Sequence, residues 1–154
     1  MRQRTLDIAV VRGDVDAPRG ARTLHLFDEP PIAVRSEHCD LTRLGRLDWA
    51  DVRDWPLVVN TVSGTTGPWS WPADQRPERI IETANYDERL ETVAAGRGIG
   101  IVPEVAQRRT QHPAVRFIPL TNAPASPVSL VHFPDDQRTL IRRFLDAAVQ
   151  TAPE

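Results

Sequence analysis

Residues 78–105 constrain the fold most, because the signals there come in the order of a strand–helix–strand unit. Ile80 and Ile81 centre a short strand. Asn85 can cap a helix start, and Glu88 three residues later completes a capping-box pattern. Tyr86, Leu90, Val93 and Ala94 then recur at helical spacing, which gives the helix one apolar face. Gly96 suits a left-handed stop, and Gly100-Ile101-Val102 re-enters a sheet before Pro103. Such a unit predicts a parallel pair of strands beneath a covering helix, and hence an α/β fold.

Gly96-Arg97-Gly98-Ile99-Gly100 has the spacing of a dinucleotide fingerprint in the wrong place. A phosphate loop follows a strand and opens a helix, whereas this run closes a helix and opens a strand. Its glycines are read as a helix stop and a tight turn.

The rest of the chain supplies short strands and proline-marked breaks. Residues 5–11 alternate Leu6, Ile8 and Val10 with Asp7 and Ala9, as a strand does. Residues 23–27 are extended. Glu29-Pro30-Pro31 then interrupts, and the double proline predicts a crossing or an edge position, not a central strand. Residues 47–54 predict a helical turn capped by Asp48, with Trp49 and Val52 inward, ended by Trp55-Pro56. Leu57-Val58-Val59 is a short buried strand, and a hydroxyl-rich loop follows it at residues 60–68. Further on come a short helix at 104–109, a strand at 115–118, a linker at 122–127 and a strand at 128–133. A closing helix over about 135–149 carries Leu140, Ile141, Phe144, Leu145 and Ala148 on one face.

Composition excludes several classes. With 154 residues the chain is one domain or two small lobes. No run is long enough to cross a bilayer and no secretory apolar region opens the chain, so the expected location is cytoplasmic, with no membrane partner. The single cysteine, Cys39, rules out an intramolecular disulfide and a multi-thiolate zinc site. The 19 basic residues are all arginine and are interspersed with 21 acids, so no basic stripe marks a nucleic-acid surface.

Catalytic patterns are equally thin. There is no Gly-x-Ser-x-Gly elbow and no His-x-x-x-His pair, and His25, His38, His112 and His132 are scattered. His38-Cys39-Asp40 lacks a positioned base, because neighbours on a strand face opposite ways. No catalytic residue, metal site or cofactor is expected. The loop Val62-Ser63-Gly64-Thr65-Thr66-Gly67 stands out instead. It follows a buried strand and so sits at a carboxyl edge, where open α/β sheets bind ligands. Its hydroxyls and N–H groups could hold a carboxylate or a polar small molecule, the alternative being a flexible surface loop. The helix start at Asn85 and Tyr86 is a second candidate wall, although Asp87 and Glu88 partly neutralise its dipole.

In order and spacing the chain resembles the C-terminal effector-binding domain of LysR-type transcriptional regulators. The pieces are Leu6-Asp7-Ile8-Ala9-Val10, residues 24–27 with Glu29-Pro30, and residues 47–54 with Pro56-Leu57-Val58-Val59. Residues 93–103, from Val93-Ala94-Ala95-Gly96 to Val102-Pro103, match best, and 133–145 looks like the family's last strand and helix. The resemblance implies a type II periplasmic-binding-protein-like α/β fold, with one complete lobe and a partial second lobe. Residues 1–31 would be a first-lobe remnant, 32–121 the second lobe, and 122–154 the return to the first. It further implies a small-molecule effector, a carboxylate or an aromatic metabolite, whose binding closes the lobes and controls transcription in a homo-oligomer.

Carried over position by position, the effector-facing residues would be Arg12, Ser63, Thr65, Thr66, Asn85, Tyr86, Val102 and Pro103. The chain lacks the family's helix-turn-helix, so DNA would be met only through a segment outside it. It also looks truncated, without the strands and helices that open the first lobe. Exposed sheet edges and apolar surface are then expected on the remnant. A stand-alone solute-binding protein of this fold would need an export signal, and a small α/β enzyme would need convergent titratable groups.

Overall fold

The computed structural model describes residues 6–136 and 138–153. Its strands are β1 (Ile8–Arg12), β2 (Arg22–Glu29), β3 (Pro31–Ser36), β4 (Leu47–Asp48), β5 (Leu57–Asn60), β6 (Ile80–Thr83), β7 (Ile99–Pro103), β8 (Val115–Thr121) and β9 (Ser126–His132). Its α-helices are α1 (Tyr86–Ala94), α2 (Ala106–Arg109) and α3 (Thr139–Thr151), with short 3-10 turns between strands. Contacts divide the chain into two compact units. One is Pro30–Pro124; the other combines the described parts of Met1–Glu29 and Ala125–Glu154.

The central unit is a six-stranded mixed sheet in the order β4-β8-β3-β7-β5-β6. Here β5 runs parallel to both β6 and β7, and β3 runs antiparallel to β7 and β8. Two sequence expectations are corrected. The strands of the 78–105 unit are not neighbours, since β5 lies between β6 and β7 and α1 crosses over it. The double proline lies where the chain passes from one unit to the other, as a crossing does, but against expectation it also opens a central strand. Pro31 stands at the first position of β3, where a missing N–H is tolerated, and Ile32 to Ser36 are all buried.

Both faces of this sheet are covered, which explains why its strands read as continuous apolar runs. Ile32, Val34, Val58, Leu90, Val93, Val102 and Val115 form the core beneath α1. Ala33, Leu57, Val59, Ile99, Ile101 and Ile118 face the other way, against Val52 and Trp71. Val52 comes from the 3-10 turn Trp49–Asp54, which Asp48 caps by accepting from the Ala50 N–H at 2.9 Å. Trp71 stacks on Trp49 with centroids 4.2 Å apart and donates its indole N–H to the Trp49 carbonyl.

The glycine run shows why it is not a phosphate loop. Gly96 has φ +73° and ends α1. Gly98 and Gly100 serve close packing: a Cβ at Gly98 would meet the Pro56 carbonyl, and one at Gly100 would come within 2.8 Å of Val34. The capping box is also displaced by one residue. Asn85 accepts from the Glu88 N–H at 2.8 Å, but the Glu88 carboxylate reaches the Ala84 N–H.

The other unit is a three-stranded antiparallel sheet, β1-β9-β2, with α3. Its first strand is Ile8–Arg12, displaced toward the C-terminus from the expected 5–11, and residue 5 lies outside the described residues. Leu6 and Val10 lie largely in solvent, 68% and 61% exposed. α3 begins at Thr139, not near 135, and residue 137 lies outside the described residues. Its apolar face is split: Ile141 is buried and Leu145 and Ala148 are half-buried, whereas Leu140 and Phe144 are exposed. β1 and β2 are the sheet edges among the described residues. Exposed apolar surface on this unit is therefore a property of the structure.

Candidate functional site

Because β5, β6 and β7 are parallel, their carboxyl ends open on one edge of the central sheet. Three segments leave from that edge. Residues 61–67 follow β5, residues 84–85 join β6 to α1, and Pro103 ends β7. The first is organised by Asn60, which is buried at the end of β5. Its side-chain oxygen accepts from the N–H groups of Val62 (3.0 Å) and Ser63 (3.1 Å), and its carbonyl accepts from Gly64. Its amide nitrogen donates to the Ser63 hydroxyl at 2.9 Å. One buried amide therefore folds the loop over its own strand. Buried Thr83 ties the adjacent strand end, donating to the Val59 carbonyl at 3.0 Å and accepting from the Thr61 N–H.

The loop's hydroxyl-bearing residues reach solvent, beside Val62 at 77% exposed. Ser63 is exposed, and Thr65 and Thr66 are half-exposed. At its far end the Trp69 ring lies over Gly67, where a Cβ would run into it, and Trp69 remains 62% exposed.

The other expected residues divide by location. Asn85 caps α1 and is exposed beside the same edge. Tyr86 packs its ring against the core under α1, and its hydroxyl is 2.6 Å from that of Thr110. Val102 is 1% exposed and is a core residue; Pro103, half-exposed, pairs with Pro31. Arg12 belongs to the other unit, where its Nε donates to the buried carboxylate of Glu29 at 2.8 Å.

Sequence reasoning missed Asn60, Trp69 and Arg89. Arg89 sits on α1 one turn after Asn85 and is only 4% exposed. Its side chain crosses Gly100, and Nη1 donates to the Ile101 carbonyl at 3.0 Å. Burial holds its guanidinium below the ordinary arginine value, with Tyr86 opposing. A buried arginine inside an apolar helical pattern was the available signal: the periodicity places position 89 beside Leu90 and Val93 on the inner face.

A second concave surface of this unit is lined by Gln107, Thr110, His112, Arg116 and Phe117. Three of its polar side chains are already paired. Thr110 meets Tyr86, His112 meets Glu91 at 3.2 Å, and Arg116 meets Glu37 at 2.7 Å. Among the described residues no group of three or more His, Cys, Asp or Glu is placed to hold a metal, and no helix is long and apolar enough to cross a membrane.

The family model described as "LysR substrate binding domain" matches residues 1–153. Among solved structures, the effector-binding domain of BenM with its effector benzoate superposes with a TM-score of 0.80 at 19% identity, covering 94% of this chain and 68% of that one. A reduced form of OxyR from N. meningitidis gives 0.76 at 17% identity, covering 96% and 71%. Full-length CbnR complexed with its target DNA gives 0.79 at 16% identity, covering 97% of this chain and 53% of that one. The chain thus spans about half the length of that regulator. No curated protein sequence matches it significantly. The chain belongs to the LysR substrate-binding-domain family and has its type II periplasmic-binding-protein-like α/β fold.

Proposed function

We propose that the chain senses a small-molecule effector at the carboxyl edge of β5, β6 and β7, and that binding controls transcription when the domain is joined to a DNA-binding segment. The observation that carries this reading is the Asn60-braced loop, which offers the hydroxyls of Ser63, Thr65 and Thr66 beside the start of α1. The effector is a carboxylate or aromatic metabolite of the cytoplasm. The hydroxyl loop suits the first and exposed Trp69 the second. Asn85, Tyr86, Val102 and Pro103 shape the site from behind, by capping and packing the elements that carry it. Arg12 is the effector contact offered by the unit that carries β1, and the sensor works within a homo-oligomer. The effector controls the output only by binding one conformation of the sensor better than another.

A thermal-shift screen of carboxylic, aromatic and neutral metabolites tests this reading. At least one compound should raise the unfolding midpoint, by an amount equivalent to about 2.7 kcal/mol at a hundredfold excess over its Kd. Ser63→Ala and Thr65→Ala should each weaken the hit. Unchanged affinity in both variants removes the loop from the site.

A further inference from the structure

Arg35 and Arg89 each carry a buried Nε without a hydrogen-bond partner, and Arg89 runs toward the 61–67 loop. Arg89 is 4% exposed and has no carboxylate partner among the described residues. One bond, from Nη1 to the Ile101 carbonyl, satisfies it in part, and buried Nε has no partner. A guanidinium left so incompletely paired costs stability, and an apolar side chain of similar size would fill the same space without that cost. The direction of the side chain suggests what offsets it. It runs over Gly100, which leaves it room, toward the 61–67 loop. There a Cβ on Gly64 would stand 3.0 Å from Nη2 and against the Asn60 carbonyl.

The next residue along the loop complements it. The Asn60 oxygen is committed to two N–H groups, so its amide nitrogen faces Ser63 and donates to that hydroxyl. The Ser63 oxygen accepts that bond, and its own proton remains to be donated outward. A guanidinium and a hydroxyl proton therefore flank Gly64, and both are donors. Such a pair recognises an anion and disfavours a neutral amide, which brings donors of its own.

We propose that Arg89, with Ser63, anchors an anionic group of the effector at Gly64, and that the natural ligand is a small carboxylate whose remaining body lies along Thr65 and Thr66 toward Trp69. This deepens the effector-sensing reading and rests on it.

The test uses the 154-residue chain with acetate, benzoate and salicylate as probes and acetamide, benzamide and salicylamide as their neutral counterparts, at matched ionic strength. Calorimetry and thermal melting are read on the wild type, Arg89→Met and Arg89→Lys. The expected result is at least tenfold preference for a carboxylate over its amide in the wild type. Arg89→Met should lose tenfold to a hundredfold in carboxylate affinity while its ligand-free melting point stays level or rises. Arg89→Lys, which keeps the charge but not the fork, should fall between.

The proposal is overturned if Arg89→Met binds the carboxylate as the wild type does, or if its ligand-free melting point collapses while Arg89→Lys keeps full affinity, the mark of a structural role. It is also overturned if the wild type takes the amides as well as the acids, an outcome that leaves effector sensing at this edge standing. Failure of both series to bind contradicts the anchor and the effector reading together.

Discussion

Asn60 and Asp48 show how single side chains fix the backbone around them. Asn60 is 2% exposed and holds three groups of the following turn through its side chain. Asn60→Ala should cost about 1 kcal/mol in urea unfolding, because two part-buried N–H groups lose their acceptor, and should weaken effector binding by loosening the loop. The carboxylate of Asp48 accepts from the Ala50 N–H, Asn122 and Thr121, and these bonds hold its pKa below the ordinary 3.8. A depressed folded-state pKa means that Asp48 stabilises the fold fully above that ordinary value, and that this support is lost as pH falls through the lower folded one. Urea midpoints of the wild type and Asp48→Asn should therefore converge in acid below about pH 3.8. A gap that persists unchanged in acid would remove the carboxylate from that role. Neither residue was legible in function from sequence. Asp48 was recognised as a cap, but its link to Asn122 spans most of the central unit. Asn60 looked like the polar end of a strand.

At the scale of elements, local chemistry predicted existence well and neighbours poorly. The cap at Asn85, the stop at Gly96 and the turn after Asp48 all follow from bonds within a few residues. The insertion of β5 between β6 and β7, and the central place of β3, depend on pairings across the chain that no local signal encodes. The role of Arg89 is hidden in the sequence for a related reason. Helical periodicity locates a face, but only the crossing of Gly100 and the approach to Gly64 show what a charge on that face touches. Two outcomes are expected for α1. Asn85→Ala should lower stability by about 1 kcal/mol, since the Glu88 N–H loses its side-chain acceptor. Gly100→Ala should cost about 1–3 kcal/mol by forcing Val34 aside, and should displace Arg89 as well. Chemical denaturation of both variants reads these values. A neutral Gly100→Ala would mean that the strand has slack at that position.

For the whole molecule, the two units differ in how completely they bury themselves. The central sheet is covered on both faces by its own residues. The unit containing β1, β9 and α3 leaves Leu6, Val10, Leu140, Phe144 and Val149 substantially exposed. Self-association through that surface is expected, with a melting point and elution volume that depend on concentration, and Leu140→Ser with Phe144→Ser should reduce it. A sharp melt of a monomer, independent of concentration, would contradict that expectation. In the other unit, effector sensing is proposed at the carboxyl edge of β5, β6 and β7. Mapping amide chemical-shift changes on titration with a compound that stabilises the chain tests it most directly. The largest changes are predicted at residues 60–67, 84–86 and 89. Changes confined to the surface around Gln107, His112 and Phe117, with residues 60–67 unmoved, would contradict the claim.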